Sequence, residues 1–357
     1  MRVAVVCPYS MSRPGGVQGQ VLGLARELRG LGVDARIIAP CDGPPPDPAM
    51  VSVGPTVEWE SNGSVAPIAT TPATARRTAE ALRSIEPDVV HLHEPIVPGP
   101  CLSALLGFEG PIVGTFHSSG DAPLQWLRPA ARSVAARLTL RVAVSDAARR
   151  TAEAHWGGDE YLVLWNGIEV ERIAAVAPTP SDRPAVCFVG RHEPRKGLAV
   201  LLEAWAGLDR DAVCWVIGTG PQGDELRARG VPGVEWLGPV SERERDARLR
   251  GATVFCAPSL GGESFGIVLL EAMAADTAIV ATAIEGYSDV ARADREARLV
   301  PPGDPVALRS ALRELLDDAD RRTALVTAGR ARAEEFSMRS LAARYLECYE
   351  RARVLAS

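Results

Sequence analysis

Gly261-Gly262-Glu263-Ser264-Phe265-Gly266-Ile267-Val268-Leu269-Leu270-Glu271-Ala272 sets three glycines and two carboxylates around the entry to an unbroken apolar run. The polar half reads as a loop and the apolar half as a helix. Ser264 fits the N-cap, and with no breaker between Ile267 and Ala274 the helix is expected to start near Phe265. Its free N–H groups and positive dipole end then face whatever the glycine loop holds, the usual arrangement for a phosphate or diphosphate. Eight residues separate Glu263 from Glu271, roughly 12 Å if both lie on the helix, about the length of a sugar nucleotide from sugar to ribose. Such a pair is ordinarily a solvated helix face. Here Glu271 sits inside Ile-Val-Leu-Leu-Glu-Ala-Met-Ala, where an unpartnered carboxylate is costly to bury, so a ligand is expected at it.

Val254 to Pro258 reads as the strand that delivers this stretch, and the grammar around it is that of an α/β series. A strand at Ala185 to Gly190 leads into Gly190-Arg191-His192-Glu193-Pro194-Arg195-Lys196-Gly197 and then a helix from Leu198 to Leu208. Further strands are expected at Val213 to Ile217, Val234 to Gly238, Ala278 to Thr282 and Arg298 to Val300. Helices are expected at 241–250, 305–317, 319–335 and 338–353. Of the 39 basic residues only Lys196 is a lysine. It falls in the second loop that looks built for anions, where an ammonium point charge fits a tight phosphate site that a planar guanidinium does not.

The first half repeats the pattern. Residues 2 to 7 read as a buried strand, Pro8 to Gly16 as a loop, and Val17 to Leu31 as an amphipathic helix. Gly15-Gly16 permits close backbone approach at a helix N-terminus, or simply makes a tight turn. Thr74 to Ile85 is a helix whose Arg76, Arg77 and Arg83 read as a solvated face rather than a membrane patch. His91 and His93 share one face of a buried strand and, lacking a third ligand, favour a structural role over metal. His117 ends the strand Gly110 to Ser118 at the edge where open parallel sheets bind ligands. It is a site candidate, or else the cap of a helix from about Pro123. Ser145 caps a helix from Asp146 to His155, and Ile173 to Arg183 reads as a linker.

A chain of 357 residues accommodates two domains. Net charge of -6 gives no electrostatic case for nucleic acid. The seven cysteines are scattered, with no metal spacing or disulfide framework. No apolar run reaches the roughly 18 residues a membrane span needs. The expected location is the cytoplasm, with or without peripheral attachment to the inner face of the plasma membrane.

With these residues in place the chain resembles the family-4 retaining glycosyltransferases of the GT-B fold. The likeness is carried by Glu263-x7-Glu271, Gly190-Arg191 with Arg195-Lys196-Gly197, Gly15-Gly16-Val17 and Phe116-His117. Within the family it is most similar to the actinobacterial phosphatidylinositol α-mannosyltransferases, through the opening Met-Arg-Val-Ala-Val-Val-Cys-Pro-Tyr-Ser, Asn62 to Ala66, His91 to Pro95 and Ala143 to Asp146. The resemblance implies two Rossmann-like α/β domains facing across a cleft: 1–170 for the acceptor, 171–337 for the nucleotide sugar, and a C-terminal helix, 338–357, packing back on the first. It implies GDP-mannose as donor, a lipid or small-molecule acceptor, no tightly bound cofactor or resident metal, and room for a non-essential Mg2+.

The roles follow by likeness. Arg191 and Lys196 would meet the diphosphate, Glu263 the donor sugar, Glu271 the ribose and His117 the reacting sugar. Gly16, Arg245, Ser264, Phe265, Gly266 and Ile267 would complete the donor site, and Tyr9, Gly15, Asn62 and Ser118 the acceptor site. Departures from the pattern weaken the acceptor side: the lysine-rich membrane helix is reduced to Arg76 and Arg77, and Pro67 stands where an arginine is expected. Two rival readings stay open, a family-4 enzyme using a UDP- or GDP-sugar on a small soluble acceptor, and a non-catalytic nucleotide-sugar-binding protein.

Overall fold

The computed structural model describes residues 1–13, 15–61, 64–118, 128–158, 160–263 and 265–356. The chain forms two compact units, Met1–Gly167 with Met338–Ser357, and Ile168–Ser337.

The first unit runs β1 (Arg2–Val6), α1 (Gly16–Gly30), β2 (Asp34–Ala39), β3 (Met50–Ser52), β4 (Val57–Ser61), β5 (Ser64–Ile68), α2 (Pro72–Ile85) and β6 (Val89–His93). It continues through α3 (Pro100–Gly107), β7 (Ile112–Phe116), α4 (Arg128–Ala135), β8 (Leu140–Ala143), α5 (Asp146–Trp156) and β9 (Tyr161–Val163). Seven strands make one parallel sheet in the order β3-β2-β1-β6-β7-β8-β9. β4 and β5 form a separate antiparallel hairpin.

The central strands of this sheet, β1, β6 and β7, are buried on both faces, as in parallel sheets covered by helices on both sides. Val3 and Val5 of β1 pack with Leu24 and Leu28 of α1, while Ala4 and Val6 pack with Leu92, Leu105 and Phe116 on the opposite face. A C-terminal helix, Met338–Leu355, belongs to this unit and inserts Leu341, Tyr345 and Tyr349 into the same core as α1. Tyr349 is wholly buried, and burying a side chain of that kind contributes roughly 1.5–3 kcal/mol.

The second unit opens with α6 (Val170–Ala174), where the sequence reads as the start of a linker. Val170 and Ile173 are both buried, and that one-turn spacing of apolar residues is what makes the segment helical. There follow β10 (Ala185–Val189), α7 (Leu198–Ala206), β11 (Val213–Ile217), α8 (Gly223–Ala228), β12 (Val234–Gly238), α9 (Glu242–Gly251) and β13 (Val254–Ala257). Then come α10 (Ile267–Ala274), β14 (Ala278–Thr282), α11 (Glu285–Ser288), β15 (Arg298–Val300), α12 (Pro305–Asp317) and α13 (Ala319–Glu335), after which Met338–Leu355 is α14. The sheet is parallel, in the order β12-β11-β10-β13-β14-β15.

Renumbered within its unit, that order is the doubly wound one, with strand direction of travel reversing between β10 and β13. The loops leaving the C-terminal ends of β10 and β13 therefore flank the point where such sheets bind ligands. They are Gly190 to Gly197 and Pro258 to Gly266, the two loops singled out above. Each unit is built on its own parallel α/β sheet, as expected from the sequence.

Candidate functional site

The loop after β10 is held to the sheet edge by Gly190 N–H donating to Ile217 O and His192 N–H to Thr219 O. A 3₁₀ turn at Pro194–Lys196 then ends in Gly197, whose φ of 67° lies in the left-handed region. A Cβ at Gly197 would stand 1.9 Å from Pro258 O, so only glycine lets the two loops touch. Leu260 N–H donates to Arg195 O (2.7 Å) and Arg195 Nη1 to Gly262 O (3.2 Å), completing the seam.

Across this seam the charges alternate. Lys196 Nζ donates to Glu263 Oε1 at 2.5 Å, and Ser259 Oγ donates to the same oxygen at 3.1 Å. Ser259 is itself within 2.8 Å of Tyr287 Oη. Glu193 is buried and bridges two guanidinium groups, Arg191 Nε at 3.0 Å and Arg195 Nε at 2.9 Å. Arg191 is half-exposed, and Glu193 fixes its Nε. Gly286, in α11, approaches so closely that a Cβ there would lie 2.0 Å from Glu263 O. Glu193, Ser259 and Tyr287 have no assigned role in the sequence reading. The Arg-x-Glu-x-Arg alternation could have flagged Glu193; Tyr287 has no local signal.

The helix begins later than expected. Its N-cap is Gly266, with φ 77° and ψ 38°, and α10 starts at Ile267 rather than near Phe265. Ser264 is therefore not the N-cap, and it lies outside the described residues. A left-handed cap glycine reverses the chain just before the helix, which leaves Glu263 in the loop and Glu271 on the second turn. The 12 Å helical spacing between the two glutamates thus does not apply. Gly266 has no side chain with which to cap α10, and Leu269 N–H donates to Gly266 O at 2.9 Å; a helix N-terminus entered through a glycine suits an anion. Phe265 is buried and packs edge-on to Phe336.

Glu271 already has a partner within the protein. Arg245 Nη1 lies 3.1 Å from its Oε1, and Arg245 also reaches Asp246 at 2.9 Å. Burial pushes the Glu271 carboxyl above its ordinary value, and the Arg245 charge opposes that shift. Asp246, fully buried, is shared with Arg172. Arg245 comes from α9, 26 positions before Glu271, so nothing in the apolar run around Glu271 announces it.

The first unit gathers its candidates at the C-terminal ends of β1, β6 and β7. Tyr9 makes a single antiparallel bridge to Ile68 in the hairpin. Gly15 is the N-cap of α1 in an extended conformation and Gly16 is its first residue. Ser118 Oγ donates to Glu94 Oε1 at 2.7 Å. His117 follows β7 and is buried, its Nε2 2.8 Å from His93 Nδ1. Burial lowers its pKa to about 4, with the Asn166 side chain opposing. His91 contacts Tyr349 Oη through Nδ1 (2.8 Å) and Thr115 Oγ1 through Nε2 (2.7 Å), the structural role its position suggests. Asn62 lies outside the described residues, as does the start of a helix near Pro123; α4 begins at Arg128.

Residues 14–172 match the family described as Glycosyltransferase Family 4, and residues 183–318 match Glycosyl transferases group 1. The chain is 37% identical over 366 residues to the phosphatidyl-myo-inositol mannosyltransferase of Mycobacterium leprae, covering 98% of this chain and 96% of that one. The Mycolicibacterium smegmatis protein of the same name is 38% identical, covering 98% and 94%. Among solved structures, a glycosyltransferase from Rickettsia africae superposes with a TM-score of 0.76 at 20% identity over 98% of both chains. Anabaena HepE, in complex with UDP and glucose, gives 0.76 at 18% identity over 98% and 99%. At such identities these structures speak for the fold, whereas the mycobacterial likeness runs along the whole sequence. The chain belongs to family 4 of the glycosyltransferases and is a GT-B enzyme of that family.

Proposed function

We propose that the protein transfers mannose from GDP-mannose, with retention, to a hydroxyl of phosphatidylinositol. In this reading the nucleotide sugar belongs to the 171–337 domain, the acceptor to 1–170, and the helix 338–357 serves the acceptor domain. The observation that carries the donor side is the pairing of Lys196 with Glu263 where the β10 and β13 loops meet, with Arg191 on the same loop as Lys196 and the N-terminus of α10 following the Glu263 loop. Likeness to the mycobacterial phosphatidyl-myo-inositol mannosyltransferases supports mannose and the lipid acceptor.

The reaction breaks the bond from the sugar C1 to the β-phosphate oxygen, and the electron pair leaves with GDP. The acceptor oxygen bonds C1 on the face the phosphate leaves, and its proton passes to that phosphate. Catalysis is then chiefly stabilisation of departing negative charge, which Lys196, Arg191 and the Gly266 to Val268 amides are suited to do. Glu263 steers the sugar and positions Lys196; Glu271, with Arg245 behind it, accepts the ribose hydroxyls. Phe265 and Ile267 bracket the helix entry, and Gly16 completes the donor set. Tyr9, Gly15, Asn62 and Ser118 serve the acceptor. The cationic side chains meet the diphosphate charge, so Mg2+ is a non-essential addition.

A second reading is favoured by one observation. On α2, Arg76 is paired with Glu80 at 3.6 Å, which reduces the charge that face offers to an anionic bilayer. A small soluble acceptor is the alternative. The experiment is turnover of GDP-mannose with phosphatidylinositol vesicles against turnover with free inositol and inositol phosphate. Peripheral attachment to the inner face of the plasma membrane follows from the lipid reading and is checked by vesicle flotation.

A further inference from the structure

The tripeptide His91-Leu92-His93 and its neighbour Glu94 are more constrained than a strand end requires. The His93 ring lies 4.3 Å from His91 and is stacked on His117 at 5.1 Å with 22° between planes. His91 is itself locked by Thr115 and Tyr349, and Thr115 by Tyr345. Glu94 adopts φ 56°, a left-handed conformation that costs a non-glycine residue on the order of 1–3 kcal/mol and that clusters at functional sites. Its carboxylate accepts the His117 backbone N–H (2.9 Å) and the Ser118 hydroxyl (2.7 Å). The ring and the backbone of His117 are thus held from adjacent residues of one strand end.

The proton on the shared bond can be placed. Among the described residues His93 Nε2 is buried and has no hydrogen-bond partner. If His117 Nε2 donated to His93 Nδ1, a neutral His93 would carry its proton on Nε2, a buried donor with no acceptor. Orphaned N–H groups are the rarer and costlier case. The alternative, His93 Nδ1–H donating to His117 Nε2, leaves only a bare lone pair at His93 Nε2.

We propose that His93 is a positioning residue which fixes His117 in one ring orientation and in the tautomer protonated at Nδ1. His117 then works as a hydrogen-bond donor through Nδ1 and is not available as a base at Nε2. The proposal rests on His117 acting in the transfer reaction.

Two readouts test it. Only five histidines are present, so 15N NMR of the labelled wild-type protein at pH 7 resolves each ring; the expected result is His117 protonated at Nδ1. In kinetics with GDP-mannose and phosphatidylinositol vesicles, His93→Leu is expected to lower kcat about tenfold or more with donor KM within about twofold. His93→Asn, whose amide keeps a donor near the Nδ1 position, is expected to recover most of the loss. His117 protonated at Nε2 in the wild type overturns the proposal even if no variant folds. So does His93→Asn no faster than His93→Leu. A His117→Gln variant with wild-type turnover overturns the underlying role of His117 and the proposal together. An inactive His117→Gln beside a fully active His93→Leu overturns the proposal alone.

Discussion

Lys196, the single lysine of the chain, donates to Glu263 Oε1 at 2.5 Å across the seam between the two loops of the second unit. Each side chain compensates the other: the ammonium neutralises a carboxylate that is 12% exposed, and the carboxylate holds the ammonium at the mouth of the switch point. In the proposed donor site a bound diphosphate would compete with Glu263 for Lys196, whose counter-ion in the structure is internal.

Removing the ammonium should therefore hurt the transition state more than the ground state. Lys196→Ala is expected to lower kcat by about a hundredfold or more while the Kd of intact donor weakens by less than about tenfold. Lys196→Arg is not expected to restore it, because a planar guanidinium does not fit the point-charge geometry. Equal kcat in Lys196→Ala and wild type would contradict the role.

Glu263→Gln separates the two halves of the pair. With the internal counter-ion gone, free GDP should bind several-fold more tightly while turnover falls by about a hundredfold. Calorimetric titration of GDP checks the first effect and steady-state kinetics the second.

Asp246 is wholly buried between Arg172 and Arg245, and Arg245 is what keeps Glu271 paired. Asp246→Ala leaves two guanidinium groups without their shared carboxylate, a change expected to cost about 3–5 kcal/mol. Urea unfolding with a probe in the second unit measures it, and an unchanged midpoint would mean the network is not structural.

Gly286→Ala tests the fit of α11 against the β13 loop. A Cβ 2.0 Å from Glu263 O must displace that backbone, so turnover should drop at least about tenfold, in line with the sensitivity of a site to misplacement by about 1 Å. Kinetics on the folded variant decide it.

Acid should weaken the first unit through its buried histidines. Burial lowers His91 to about 3, so the folded state keeps it neutral while the unfolded chain protonates near 6.5. The unfolded state binds the extra proton, so stability is intact above 6.5 and falls as pH drops toward about 3. His93, His117, Tyr345 and Tyr349 surround the ring and are common to both proteins in the comparison. Between pH 7 and pH 5 the wild type should lose about 2 kcal/mol more than His91→Asn, at 1.36 kcal/mol per proton per pH unit. Equal losses in denaturant titrations would contradict a neutral buried His91.

Much of the architecture was readable because both sheets are parallel and their central strands are buried on both faces, so β1, β7, β10, β11, β13 and β14 are near-continuous apolar blocks between polar turns. Ser145, for example, caps α5 by accepting from Ala148 N–H, as its position before an amphipathic run implies. The short helices were not readable: α3 enters through Gly99 at φ 117°, and α6 is five residues long. At the site, the loops at Arg191, Lys196 and Glu263 stood out by composition. The Gly266 cap did not, since serine two residues earlier is the better cap by preference and only the left-handed turn decides against it. Arg245 behind Glu271, Glu193 between two arginines and Tyr287 under Ser259 are tertiary partners, set by how α9, the β10 loop and α11 meet rather than by any local pattern.

The most direct test of the central claim is product formation from GDP-mannose and vesicles containing phosphatidylinositol, followed by GDP release and by analysis of the lipid. One GDP is expected per α-mannosylated phosphatidylinositol, dependent on the lipid and slowed by about a hundredfold or more in Lys196→Ala. GDP release that ignores phosphatidylinositol, or turnover confined to a UDP-sugar, would contradict the claim.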